Sequence, residues 1–336
     1  MTVRRNLGDR HIKPIGLGCM GLSAGYGPAL PKAQSIRLLN EALDLGYDFF
    51  DTASIYGLGS NENLISEAIG HRRDEYFIAS KCVASFKGDK PFVDGSPDAI
   101  KSQCEGSLQR LGTDRIDLYY MHRLDFKVPI EESIGALADL KAAGKILAIG
   151  VSEISAETLR RAHATHPIAA IQSEYSLWTR NPELGVLDAC KALGIAFVAF
   201  SPVARGFFTD APPGPEDFSD KDIRRTMPRF ERENLTRNLE LRQLVLSIAA
   251  DLNIDLSQLA LAWVLAQGDN IFAIPGTTKS THLRQNFATL DIELPSDVIT
   301  SLSEAFSPDA VAGNRYGQQG QKAVDTETFE FESQEI

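Results

Sequence analysis

Only four cysteines, Cys19, Cys82, Cys104 and Cys190, occur in 336 residues, and none is paired in a Cys-x-x-Cys spacing. That leaves no disulfide framework and fits a reducing compartment, so no disulfide and a cytoplasmic location are expected. Long apolar runs are also missing. No stretch reaches the ~20 apolar residues of a membrane span, and the N-terminal MTVRRNLGDRHIKPIGLG has charges but no sustained apolar segment. Basic residues are in the minority, 34 against 45 acidic, for a net charge of -11. A chain so charged repels polyanions and offers no basic footprint to nucleic acid or anionic lipid, which leaves a small molecule as the expected partner. No metal is expected; the oligomeric state is left open, a monomer being compatible with the sequence.

What is present is a large apolar fraction, 43%, enough to bury the core of an α/β barrel as one domain over 1–336. Short apolar runs alternate with amphipathic stretches from residue 15 to about 290, as repeated βα units do. Strand candidates are PIGLG (14–18), YDFFD (47–51), YFIAS (76–80), DLYYM (117–121), ILAIGV (146–151), IAAIQ (168–172), IAFVAF (195–200) and NIFAIP (270–275). Helices follow near 33–46, 61–70, 97–111 and 131–144, and Ser155 is placed to cap a further one, in which Glu157 and Arg161 lie four apart. Eight such units make a closed (β/α)8 barrel. RNLGDRHIKPI (5–15) reads as a hairpin that plugs its N-terminal end. The stretch from 203 to about 236 reads as a lid or binding loop. The polar segment after about 307, to 336, reads as a partly disordered acidic end, with a flap over the barrel mouth as the alternative.

Polar residues stand where the apolar runs end. Asp51 closes YDFFD, Lys81 follows YFIAS, His122 follows DLYYM, and Tyr56 lies five residues beyond Asp51. In a parallel barrel all C-terminal strand ends open on one face, and neighbouring strands lie about 5 Å apart. A tyrosine is a weak acid at neutral pH, and a nearby ammonium lowers its pKa, so Lys81 is expected to acidify Tyr56 while Asp51 orients the lysine. With His122 as a second donor, the set suits an electrophile that gains negative charge on oxygen, as a carbonyl does on accepting hydride. Singly, an Asp–Lys pair or a loop tyrosine is more often structural; on adjacent strand ends the combination points to catalysis.

The remaining strand ends look like grips for a cofactor. Ser152 and Gln172 can hydrogen-bond a carboxamide, and Phe200 offers a flat face to a ring. Gly276 and Thr277 precede a helix N-terminus that attracts phosphate, with Lys279 and His282 at one-turn spacing. Met20 and Trp178 read as apolar lining of the mouth, and Cys19 as an inert thiol without an activating base.

The segments IGLGCMGLS, DTASIYG, SLQRLGTDRIDLYYMHR, GKILAIGVSE, QSEYSLW and IPGTTKSTHLRQN closely resemble the aldo-keto reductase superfamily, over roughly residues 3–306. The resemblance implies a (β/α)8 barrel that binds NADP(H) in extended form and transfers hydride to aldehydes and ketones, reversibly. It implies Tyr56 as general acid, with Asp51, Lys81 and His122 completing a tetrad. Gly18, Cys19, Met20 and Asp51 fall in its cofactor set. Ser152 and Gln172 match its carboxamide grips and Phe200 its ring-stacking position. Ser201, Val203 and Arg205 match its pyrophosphate loop; Lys279, His282, Gln285 and Asn286 match the adenosine phosphate and adenine end. His122 implies reduction of C=O bonds, since members that reduce enone double bonds carry glutamate there. Glu153 departs from the asparagine of many members, Phe200 from tyrosine, and His282 from arginine. Two rival functions stay open: a Schiff-base lyase acting through Lys81, and an NADPH-binding sensor subunit with slow turnover.

Overall fold

The computed structural model describes residues 3–23, 25–88 and 90–333. Strands β1 (Arg5–Leu7) and β2 (Arg10–Ile12) pair antiparallel, and eight parallel strands follow. In chain order these are β3 (Leu17–Gly18), β4 (Phe49–Asp51), β5 (Phe77–Cys82), then, after an excursion, β8 (Ile116–Met121), β9 (Ile146–Ser152), β10 (Ala170–Glu174), β11 (Ala196–Phe200) and β12 (Ile271–Ala273). The seam between first and last is closed where Ile15 bridges Ala273: Gly16 N–H donates to the Ala273 carbonyl at 2.9 Å and Ala273 N–H to the Pro14 carbonyl at 2.8 Å. The expected (β/α)8 barrel is thus present.

Strands buried on both faces read as near-continuous apolar runs, and FIASKC in β5 is buried throughout, its lysine included. Inside the barrel Phe49, Phe77, Leu118, Tyr120, Val198 and Phe272 form one cluster, and Leu7 and Ile12 of the hairpin pack into it. The hairpin therefore plugs the barrel as expected. The outer helices include α1 (Lys32–Leu45), α2 (Ser60–Ile69), α3 (Pro97–Leu111), α4 (Ile130–Ala142) and α5 (Ala156–Thr165). In α4, Ile130, Ile134, Leu137 and Leu140 recur at helical spacing and are all buried, worth about 1.5–3 kcal/mol each. Gly144, just past its end, adopts φ 73°, the left-handed conformation that glycine reaches without steric cost. Ser155 caps α5 by accepting from Thr158 N–H at 3.3 Å. Arg161, however, pairs with Glu131 of α4 rather than with Glu157. No single helix among the described residues is long and apolar enough to cross a membrane. The four cysteines are buried and free.

Three segments differ from expectation. A second hairpin, β6 (Ala84–Lys87) with β7 (Lys90–Val93), rises from the end of β5. The loop after β11 gives way to helix at Arg232 and is built on short 3-10 turns. Its Phe207, Phe208 and Phe230 pack on Trp178, which stacks on Phe207 at 4.4 Å and is only 2% exposed. Trp178 is therefore the floor of this loop and not a wall of the mouth. The acidic segment 307–333 is docked: Asp325 N–H donates to the Glu153 carbonyl at 3.1 Å, Glu327 accepts from Ala156 N–H at 2.7 Å, and Glu332 accepts from the Asn181 side chain at 2.6 Å. Its carboxylates find fixed donors, which replaces the disordered reading with a docked segment whose Tyr316 lines the cavity at the barrel mouth.

Candidate active site

At the C-terminal mouth of the barrel, several chains turn sharply as they leave a strand. Val83 after β5, Glu153 after β9 and Ser201 after β11 all have positive φ, at 80°, 56° and 50°, and Ala204 and Arg205 follow at 51° and 55°. Such conformations cost side-chain-bearing residues roughly 1–3 kcal/mol each and concentrate at functional sites. The mouth opens into a cavity of about 810 Å³.

Lys81 projects from β5 with no solvent exposure. Its Nζ donates to Asp51 Oδ1, to the Thr52 carbonyl at 2.8 Å and to the Tyr56 hydroxyl at 3.4 Å. The three donors of an ammonium are thereby assigned. Asp51 Oδ2 accepts from Gln172 Nε2 at 2.8 Å, so both carboxylate oxygens are held. Tyr56 sits in a tight loop in which Gly57, at φ 55°, takes the left-handed conformation and a Cβ there would crowd Ser60 Oγ at 2.2 Å and Ser23 Cβ at 3.0 Å. Its ring meets that of His122 edge-on at 5.9 Å. The four residues expected to form a relay are thus brought together.

Electrostatics refine the expectation for Tyr56. Burial raises its pKa, and the Lys81 charge offsets only part of that, so the phenol holds its proton through the neutral range. Burial would lower Lys81, but Asp51 and Tyr56 outweigh it and keep the ammonium charged. Burial followed by the Arg123 charge pushes His122 well below its usual value, leaving a neutral imidazole.

The expected grips divide into cavity walls and others. Gly18, Met20, Ser152, Gln172, Phe200 and Ser201 line the cavity beside the tetrad, and Val203 and Arg205 continue the wall. Gly276, Thr277, Lys279, His282, Gln285 and Asn286 line its far end, before and along α6 (Ser280–Ala288). Cys19 is the exception: its thiol is buried against the Leu17 carbonyl, its N–H donates to Asp51 O and its carbonyl accepts from Asn61. No polar group of Cys19 is left for a ligand, which corrects that assignment. Gly16, Gly18 and Gly21 have the spacing of a dinucleotide fingerprint, yet a 3-10 turn, Met20–Leu22, and not a helix follows them. Gly18 instead allows close packing at the seam, where a Cβ would lie 2.7 Å from the Ile274 carbonyl.

Two buried polar atoms in the cavity wall, Ser152 Oγ and His122 Nδ1, have no hydrogen-bond partner. Orphaned buried groups are costly, so both call for a ligand or water. Sequence reasoning also missed a buried ionic network next to them. Glu174 Oε2 accepts from Arg205 at 2.5 Å and from Arg315 Nε at 3.1 Å, while Arg315 Nη2 donates to Glu153 at 2.5 Å. The Arg205 guanidinium is thus already engaged. Arg123, which lines the cavity beside His122, was passed over as well.

A barrel with this strand-end set has known counterparts. The aldo/keto reductase family model matches residues 14–306. This chain belongs to that family. It is 42% identical over 319 residues to the aldo-keto reductase yakc [NADP(+)] of Schizosaccharomyces pombe, covering 93% of this chain and 94% of the relative. Among solved structures it resembles the glycerol dehydrogenase of Gluconobacter oxydans, with a TM-score of 0.83, 26% identity and coverage of 91% and 96%. An aldo/keto reductase from Klebsiella pneumoniae in complex with NADP and acetate matches with a TM-score of 0.72, 26% identity and coverage of 94% and 98%. Members of this family are oxidoreductases, and the chain is an enzyme of that class. The Glu153 departure has a physical counterpart in this aldo/keto reductase: the carboxylate anchors Arg315 of the C-terminal segment.

Proposed function

We propose that the enzyme is an NADPH-dependent reductase of aldehydes or ketones, reversible to alcohol oxidation, with Tyr56 as general acid. The observation that carries this reading is the chain of contacts from Asp51 through Lys81 to the Tyr56 hydroxyl, at the wall of a cavity that ends in Lys279 and His282. The cofactor named in the yeast relative and in the Klebsiella complex supports the choice of NADP(H).

When bound, the nicotinamide supplies hydride. The unpartnered Ser152 hydroxyl and the side-chain oxygen of Gln172 would hold the carboxamide, and Phe200 would stack on the ring. Ser201, Val203 and Arg205 would flank the pyrophosphate, and Gly276 and Thr277 would face the phosphates near the N-terminus of α6. Lys279 and His282 would meet the 2′-phosphate, with Gln285 and Asn286 at the adenine. Tyr56 and neutral His122 would both donate to the substrate oxygen, and Tyr56 would give up its proton as the alkoxide forms. Lys81, charged and close, would stabilise the phenolate left behind. A Schiff base at Lys81 needs a free neutral amine, and here the amine is an ammonium with three partners.

The test is steady-state reduction of a panel of aldehydes and ketones, with NADPH binding measured in parallel and products identified for an α,β-unsaturated ketone. Alcohol formation with the C=C bond intact is expected. Tight NADPH binding with no turnover across the panel supports the sensor reading; a saturated ketone as main product contradicts the role given to His122.

A further inference from the structure

The arginines that line the cavity are not alike. Arg205 is paired with Glu174 and Arg224 with Asp222, at 2.5 and 2.7 Å. Arg123 lies in the same wall, directly after His122, and has no carboxylate partner among the described residues. It is half-buried, and its guanidinium is held by one hydrogen bond, from Nη1 to the His122 carbonyl at 2.6 Å. That bond fixes the group while leaving the Nε–Nη2 edge uncommitted. The edge presents two parallel N–H donors in the fork that matches a carboxylate. Arg123 is also close enough to act electrostatically on both His122 and Tyr56. Of the carboxylates in the wall, Asp51 is occupied by Lys81, and Asp210 and Asp255 act on His282 at the opposite end. In a chain of net charge -11, a fixed and uncompensated cation at the reacting end of the cavity is a feature that uncharged substrates do not use.

We propose that Arg123 is a specificity-determining residue that selects carbonyl substrates carrying a carboxylate, which pairs with its free edge while the carbonyl oxygen lies at Tyr56 and His122. The inference rests on the reductase reading above. An uncharged substrate leaves this cation without a partner, whereas a carboxylate gains a charge-assisted pair that an ester of the same shape cannot make. Only the distance between carboxylate and carbonyl is left to the substrate, and the probes below vary it.

The experiment compares matched pairs with NADPH: 2-, 3- and 4-carboxybenzaldehyde, each against its methyl ester, and succinic semialdehyde against its methyl ester. The readout is the ratio of kcat/KM for acid over ester in wild type, Arg123→Met and Arg123→Lys, so any effect of the substitution on the common chemical step divides out. At least one pair is expected to favour the acid by tenfold or more in wild type. The ratio should fall to one or below in Arg123→Met, and be partly kept in Arg123→Lys with a decline as salt is added. If the esters turn over and no acid is preferred in wild type, or Arg123→Met keeps the preference, the carboxylate subsite is overturned and the reductase reading stands. If neither member of any pair turns over although other aldehydes or ketones of the panel do, the carboxylate subsite is overturned; if nothing in the panel turns over while NADPH binds, the reductase reading itself fails, and this inference with it.

Discussion

Arg315, in the C-terminal segment, reaches back to donate to Glu153 at the end of β9 across 2.5 Å, and both side chains are almost fully buried. The contact joins the last part of the chain to a strand end that carries Ser152 on one side of it. Removing one partner of such a buried pair costs on the order of 3 kcal/mol, because the other charge stays buried. Arg315→Met should therefore lower the denaturation midpoint markedly and expose the segment 307–333 to protease under native conditions. Unchanged stability together with an uncut segment would refute the docking role.

Glu174 gives the same network a pH signature. Burial alone would raise its pKa, but the charges of Arg205 and Arg315 hold the carboxyl down to about 2. The folded value lies below the ordinary glutamate value of about 4.3, so the stabilisation is full above that pH and is lost as pH falls from there toward 2. Denaturant midpoints measured from pH 6 to pH 3 should decline less steeply in Glu174→Gln than in wild type, from a lower starting point. Parallel curves would mean that Glu174 titrates normally.

Lys81→Met should abolish carbonyl reduction at least as thoroughly as loss of a general acid, roughly 10²- to 10⁴-fold. The ammonium that stabilises the phenolate is gone, and Asp51, whose pKa burial already raises, is left without its cation. NADPH dissociation constants, read by fluorescence quenching, should move only a few-fold, since Lys81 is not part of the cavity wall. A large loss of cofactor affinity with kcat preserved would contradict this division of labour.

Cofactor choice falls to the start of α6. Lys279 is exposed and sits beside Thr277 and Thr278 in the cavity wall, where a 2′-phosphate can meet it. Hydrogen bonds to charged groups contribute about 1.5–3 kcal/mol, so NADPH should bind roughly tenfold to a hundredfold tighter than NADH, less so in Lys279→Ala or at high salt. His282 lies one turn further on in the same wall. Burial and the Lys279 charge hold its pKa below the usual histidine value, against the opposing pull of Asp210 and Asp255. Its share of the preference should therefore appear only as pH falls below about 6.5, and isothermal titration at pH 8 and pH 5.5 checks it. Equal affinity of wild type for both cofactors would place the phosphate elsewhere.

The barrel and its tetrad were legible because both are written locally. An apolar run that ends in Asp51, Lys81 or His122 marks a buried strand and its exit, and α4 shows its core face as Ile130, Ile134, Leu137 and Leu140. The docked C-terminal segment was not legible, since Arg315, Asp325 and Glu327 find partners that lie 141 to 171 residues away. Composition alone made that segment look like a solvated acidic end. Trp178 misled for a related reason: its partners Phe207, Phe208 and Phe230 belong to a loop with no periodicity to read. The lowered His122 and raised Tyr56 come from burial, which no spacing of residues reports.

The proton donor is where the account stands or falls, and Tyr56→Phe removes one oxygen from the relay while keeping the ring that packs against His122. Reduction of the best aldehyde of the panel, followed in single turnover with saturating NADPH, measures the chemical step apart from binding and release. The expected rate is at least a hundredfold lower, with the NADPH dissociation constant unchanged within a few-fold. A single-turnover rate close to that of wild type would show that another group protonates the alkoxide, and would contradict the assignment of Tyr56.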